Sequence, residues 1–324
     1  MTSDPNVGGP SSPGAGTTGR WLEGIVPPVC TPLAADGEVD VASLERHISF
    51  LLDAGVNGLF MLGSSGEVAY LTDAQRDRVV EVAVKTAGGQ VPVLAGAIDM
   101  TTNRVVDHAL RAKERGADAI VVTAPFFARS AHPNEVKLHF RKVRDRVGLA
   151  LVAYDLPISV HNKLDLPVVS ELAADGTIDG VKDSSNDIHG FRAVVTGTRQ
   201  FEKFSVLTGS ELVVDCALFL GAEGAVPGLA NVDPHGFVAL YEASRAGDWA
   251  KAREIQERLV RLFDITACGD SSKKGASSCG LGGFKTALML RGVIAGNTTA
   301  LPQITLDANE VEAVKAVLAR EGLL

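Results

Sequence analysis

The sequence is poor in several things, and each shortage excludes a class of protein. Its 324 residues hold four cysteines, Cys30, Cys216, Cys268 and Cys279. Their spacing matches no common metal-binding pattern and nothing suggests secretion, so reduced thiols in a cytoplasmic protein are expected. Positive charge is also short. Against 39 acidic residues stand 31 Lys and Arg, a formal net charge of -8. That balance argues against general affinity for nucleic acid or for an anionic membrane surface. It leaves room for an anionic substrate, because a site can be locally positive. No apolar run approaches membrane-spanning length. Residues 1–20 are rich in Gly, Ser, Pro and Thr and lack the apolar stretch of a signal peptide, so a disordered tail is expected there. The seven histidines form no cluster.

What is present is an ordinary globular composition, 46% hydrophobic and 22% charged, with ample material for a core. Length alone suggests two domains, but α/β barrels of this size are commonly one. After the tail, short apolar runs alternate with stretches of helical spacing. Strand-like runs fall at 24–30, 57–62, 91–95, 119–123, 149–154, 178–182, 204–208 and 224–226. Helical patterns follow each of them. They open at Asp40, at Thr72 or Asp73, at Thr101, at Pro133 or Asn134, at Leu166-Pro167, at Ser185 or Asn186, at Glu211 and at Pro234. Eight strand–helix units of roughly 25–30 residues are what a (β/α)8 TIM barrel requires. Continuous apolar strands suit a parallel sheet covered on both faces. A doubly wound open sheet shows similar alternation. The count of eight, and the absence of a GxGxxG after the first strand, favour the barrel. Three further amphipathic helices are expected at 249–266, 284–295 and 307–320. The chain thus divides into a tail at 1–20, a barrel at 21–245 and a C-terminal helical extension at 246–324. Residues 269–283 are expected to be a Ser/Gly/Lys-rich loop whose Lys273 and Lys274 are solvated.

In a barrel the reactive face lies at the C-terminal ends of the strands. The second strand delivers Ser64 and Ser65 there, the fifth Tyr154, the sixth Lys182 and the eighth Val226 before Pro227-Gly228. An amine at a strand end inside a barrel is desolvated, which disfavours its charged form. A neutral amine attacks a ketone to form a Schiff base. A phenol relays protons, and a serine–glycine turn offers hydroxyls and N–H groups to a carboxylate. This chemistry needs no metal and no other cofactor. Each residue also has a plainer role open to it: most lysines are solvated, the Gly63–Gly66 stretch is also a tight turn, and Tyr154 is also a core residue with a hydrogen-bonded hydroxyl. Asp155 and Asp183 follow Tyr154 and Lys182. Strand neighbours alternate faces, so these two aspartates are expected to point away from the barrel axis and to serve structural ends such as capping the next helix.

The same residues resemble the dihydrodipicolinate synthase/N-acetylneuraminate lyase family of Schiff-base barrels, from about Gly24 to the C-terminal helices. The family's strand-two turn reads Gly, two Ser or Thr, Gly, Glu, matched by Gly63 to Glu67. Its tyrosine motif usually reads Tyr-Asn-any-Pro, matched with one change, Asp155, by Tyr154 to Pro157. Its lysine motif is matched by Gly180 to Asp183. The resemblance implies Lys182 as Schiff-base lysine, Tyr154 as proton shuttle, Ser64 and Ser65 as the cradle of a 2-oxo acid carboxylate, and a homotetramer built as a dimer of dimers. Two departures bear on substrate. Dihydrodipicolinate synthases carry an arginine five residues after the tyrosine, where this chain has Ser159, and a second tyrosine after strand four, where it has Ala124-Pro125-Phe126-Phe127. Both argue against lysine biosynthesis.

The Lys-Asp-Ser-Ser run resembles members that cleave 2-keto-3-deoxy sugar acids or 4-hydroxy-2-oxo acids. In such lyases Ser184 and Glu211 fall where substrate hydroxyls are contacted. The expected protein is a class I aldolase or lyase acting on a small hydroxylated 2-oxo acid, with pyruvate and an aldehyde as partners and neither nucleic acid nor membrane. The alternatives are a dihydrodipicolinate synthase or Schiff-base dehydratase of the same family, and a non-catalytic paralogue that binds a 2-oxo acid.

Overall fold

The computed structural model describes residues 20–127 and 132–324, so the expected tail lies outside the described residues except for Arg20. Eight parallel strands run β1 (Gly24–Ile25), β2 (Leu59–Met61), β3 (Val93–Gly96), β4 (Ala119–Thr123), β5 (Ala150–Asp155), β6 (Gly180–Asp183), β7 (Ser205–Thr208) and β8 (Gly224–Ala225). They pair in the order β1-β8-β7-β6-β5-β4-β3-β2. The sheet curls until its ends meet. Phe60 N–H donates to Pro27 O at 3.0 Å and Val29 N–H to Phe60 O at 2.9 Å, which joins the continuation of β1 to β2. The first strand, expected at 24–30, shrinks to two residues. Pro27 and Pro28 have no N–H to give a ladder, and beyond β1 the pairing survives as the bridge Pro28↔Phe60.

Alternation along each strand sorts the core. Val26, Phe60, Leu94, Val121, Val152, Tyr154, Leu207 and Val226 fill the barrel interior. Their strand neighbours, such as Ile120, Leu151, Ala153, Val181 and Val206, face the helices. At the N-terminal mouth Leu22 joins the interior cluster, and Trp21 donates its indole N–H to Asp179 O at 3.2 Å.

The helices start where capping chemistry allows. Asp40 caps α1 (Val41–Asp53), Thr72 forms a capping box with Gln75 at α2 (Asp73–Ala87), and α3 spans Thr102–Glu114. Next come α4 (Pro133–Val147), a one-turn α5 (Pro157–Val160) and α6 (Leu166–Ala174). The seventh, α7 (Ile188–Gly197), begins later than the sequence suggests. Its cap is Asp187, whose carboxylate accepts from Gly190 N–H, and not Ser185 or Asn186. A 3-10 turn at Glu211–Val213 leads into α8 (Val214–Leu220), and Asp233 caps α9 (Pro234–Arg245).

The C-terminal helical part comprises α10 (Trp249–Leu262), α11 (Ala276–Leu290) and α12 (Ala308–Arg320). Here the sequence misleads. The second half of the expected loop 269–283 is the first half of α11, and the helix expected at 284–295 ends at Leu290. Glycine-rich composition suggested a loop. Those glycines instead allow close packing: a Cβ on Gly283 would lie 2.3 Å from Ile265 O, and one on Gly282 would lie 2.8 Å from the Leu306 side chain. Lys274 is also not solvated. It is buried and paired with Glu310 at 2.6 Å, while Lys273 is the exposed member, 2.8 Å from Asp270. Among the described residues no helix is long and apolar enough to cross a membrane.

Candidate active site

The turn after β2 is held from several sides. Leu62 and Glu67 adopt φ of 57° and 60°, a left-handed backbone that costs a non-glycine residue about 1–2 kcal/mol each. The surroundings support it. The Leu62 carbonyl occupies the space a side chain on Gly96 would need, 1.9 Å from its ideal Cβ. Glu67 N–H donates to Ser64 O at 3.0 Å, and the Thr31 hydroxyl donates to Gly66 O at 2.8 Å. The motif's glutamate turns away from the cavity. Its carboxylate accepts from Ala300 N–H and forms a fully buried ion pair with Lys285 of α11, both side chains at 0% exposure. The turn thus presents Ser64 and Ser65 to the barrel and anchors the C-terminal helices.

Across the barrel, β5 and β6 pair with Tyr154 opposite Lys182. Lys182 is 5% exposed. Its Nζ lies 4.2 Å from the centre of the Tyr154 ring and 4.9 Å from that of Phe60. The two rings meet edge to face at 6.2 Å. The Tyr154 hydroxyl is 3.4 Å from Ser64 Oγ. Burial pushes its phenol up, but the Lys182 ammonium and hydrogen bonds with Ser64, Ser184 and Lys182 outweigh burial, and the net direction is down. Glu211 shows the opposite balance. Burial drives its carboxyl up to about 7, although Leu229 N–H and Lys182 favour the anion.

All seven residues singled out in the sequence, Ser64, Ser65, Tyr154, Lys182, Ser184, Glu211 and Val226, line one cavity of about 700 Å³ at the C-terminal strand ends. Thr208, Gly209, Asn186 and Ser210 line it too and were missed. One signal for them was available, since Gly209-Ser210-Glu211 after β7 echoes the Gly-Ser-Ser-Gly-Glu turn after β2. Gly209 has a steric reason. An ideal Cβ there would sit 1.9 Å from Ser184 Oγ and 3.0 Å from Lys182 Cε. Among the described residues of the lining, Lys182 is the one cation, against Asp183, Asp187 and Glu211.

Asp155 and Asp183 do not cap the following helices. Asp165 and Asp187 do. Asp155 and Asp183 instead share an ion pair with Lys163, a residue that the sequence did not single out. Asp155 also accepts from Leu164 N–H, and Asp183 from Ser185 N–H at 2.8 Å.

Eight parallel strands and their helices form a (β/α)8 barrel with a buried lysine and tyrosine at one mouth. The model of the dihydrodipicolinate synthetase family matches residues 21–321, and the chain belongs to that family of lyases. A DapA-like lyase of Halobacterium salinarum is 37% identical over 97% of this chain and 98% of its own. The 4-hydroxy-tetrahydrodipicolinate synthase of Methanoculleus marisnigri is 33% identical over 93% and 100%. Among solved structures, YagE, a prophage protein of E. coli K12 in complex with pyruvate, superposes with a TM-score of 0.86 at 28% identity, covering 94% of this chain and 99% of its own. The dihydrodipicolinate synthase of Bacteroides thetaiotaomicron gives 0.87 at 30% identity, covering 92% and 98%.

Proposed function

We propose that the protein is a class I aldolase that makes or breaks a small hydroxylated 2-oxo acid through an imine on Lys182. The observation that carries this reading is the buried Lys182 Nζ beside Tyr154, whose hydroxyl is within reach of Ser64. Ser64 and Ser65 hold the 2-oxo acid carboxylate. The lysine amine attacks the ketone carbon. The carbinolamine then loses water, with Tyr154 carrying protons to and from its oxygen. The resulting iminium is an electron sink. Loss of the C4 hydroxyl proton breaks the C3–C4 bond, releasing an aldehyde and leaving an enamine. Protonation at C3 and addition of water then free pyruvate and the amine. One solved relative is named as a pyruvate complex, which agrees with that common half.

The other half of the substrate faces Ser184, Asn186, Ser210 and Glu211, which suit hydroxyl groups. The scarcity of cations in the described lining, with Ser159 in place of arginine, disfavours a second carboxylate and so favours the aldolase over the synthase branch. The proposal includes the tetramer implied by family membership; exposed Phe127 and Ile158 at the barrel mouth are apolar surface that a second copy would cover. The test is product analysis of wild type and Lys182→Ala with 2-keto-3-deoxy sugar acids. Aldehyde and pyruvate from wild type, and neither from the folded variant, are expected. Products that keep every carbon in one molecule would point to the dehydratase branch. Substantial turnover by Lys182→Ala would remove the lysine from the mechanism.

A further inference from the structure

We propose that Lys163 is a positioning residue for this reaction: its single ammonium bridges the paired carboxylates of Asp155 and Asp183, offsets their mutual repulsion and so holds the strand ends that carry Tyr154 and Lys182. The inference rests on the imine reading above. Tyr154 stands opposite Lys182, and one residue on, Asp155 stands opposite Asp183. Because strand neighbours alternate faces, the pair that points into the cavity is backed directly by a pair of acids. These acids are 1% and 3% exposed. Two carboxylates on adjacent strands at that burial cannot both ionise without a counter-charge.

Lys163 supplies it from the segment between α5 and α6. Its Nζ contacts Asp155 Oδ2 and lies 3.2 Å from Asp183 Oδ2. The segment is fixed in turn by Leu164 N–H donating to Asp155 Oδ1 at 3.0 Å and by Asn162 Nδ2 donating to Pro125 O at 2.9 Å. The acids are wired to the site through their backbones. Ser184 N–H donates to Asp155 O at 2.9 Å, and Gly209 N–H to Asp183 O at 2.6 Å. Spreading the two acids therefore moves Tyr154, Lys182, Ser184 and Gly209 together.

The charged groups facing Asp155 are Lys163 from its own loop and Asp183 from β6; Asp187 at the start of α7 feels Lys163 as well. Burial, with Asp183 adding to it, raises the Asp155 carboxyl to about 6 against the opposing pull of Lys163 and Leu164 N–H. Without Lys163 that pull is lost, and Asp155 releases its proton at higher pH. The defect should therefore be worst where both are ionised and smaller in acid.

The probe is pyruvate itself. Exchange of its methyl protons for deuterium, followed by NMR, needs the imine and enamine but no aldehyde. Lys163→Met is expected to slow exchange tenfold or more at pH 8 and clearly less at pH 6, with little change in the pyruvate concentration giving half-maximal rate. Adding Asp155→Asn to Lys163→Met is expected to restore exchange to within about threefold of wild type at pH 8. A packing role alone would give a loss that is the same at both pH values and is not repaired by removing a charge. Wild-type exchange in Lys163→Met, or a double variant as slow as the single one, overturns the proposal. If Lys163→Met alone does not fold, the comparison becomes the double variant against Asp155→Asn. Equal rates support the charge role, and a further tenfold loss overturns it. Absence of exchange in wild type would instead count against the imine reading, and this proposal would fall with it.

Discussion

Tyr154 is buried and Glu211 half-buried in the same cavity, and the two are tuned in opposite directions. Tyr154 is eased toward its anion by Lys182 and by its hydroxyl partners. As the proton shuttle of the proposed mechanism, its change to Phe should slow turnover by a factor on the order of 10²–10⁴, measured as kcat, with the Lys182 adduct still forming slowly. A wild-type rate would remove it from the mechanism. Glu211 is raised to about 7 from an ordinary 4.5. The fold therefore holds a proton that the unfolded chain has already released, and stability from this group is lost as pH rises between about 4.5 and 7. Glu211→Gln should remove that slope. In urea unfolding, the variant's stability relative to wild type should rise by ~1–3 kcal/mol from pH 4.5 to pH 8. An unchanged difference would contradict the burial argument. Tyr154, Lys182, Ser64 and Ser65 were legible because each sits at a predictable strand end. Lys163 was not, since its partners are set by the register of two strands far away in sequence.

At the scale of elements, the turn after β2 and helix α11 form one unit. Glu67 and Lys285 are both fully buried, with Ala300 N–H and Thr298 O completing their hydrogen bonds. Breaking a buried pair from one side leaves an uncompensated charge, which costs about 3–5 kcal/mol. Glu67→Gln should lower the urea midpoint accordingly, whereas replacing both partners with Met should recover much of the loss. Additive losses in that cycle would mean that the two do not act as a pair. The glutamate was visible in the sequence as part of a motif, but its partner was not. Lys285 lies in a helix whose first half composition disguised as loop, because the glycines that suggest flexibility serve close approach to Ile265 and Leu306. Helix starts with a side-chain cap, such as Asp40, Thr72 and Asp233, were readable to a residue or two. That of α7 was displaced because Ser185 and Asn186 are taken up by the cavity rim, with Ser185 N–H bound to Asp183 and Asn186 Oδ1 accepting from Ser210.

Among the described residues, eight strands form a ring whose interior of apolar side chains carries one amine, that of Lys182. The count of strand–helix units was legible from periodicity, because parallel strands covered on both faces must be continuously apolar. That count also favoured closure; how the ring closes was not legible, since it depends on a few hydrogen bonds around Phe60 in a segment that two prolines keep from being a regular strand. The C-terminal helices share a continuous apolar core with the β1–β3 side of the barrel. Everything proposed for function passes through the amine at the centre of this arrangement. The most direct test is borohydride reduction of the protein with pyruvate, read by intact and peptide mass spectrometry. The account predicts one reduced pyruvate adduct per chain, on the peptide containing Lys182, and none on Lys182→Ala. A folded wild-type protein that forms no adduct, or one that carries it on another lysine, would contradict it.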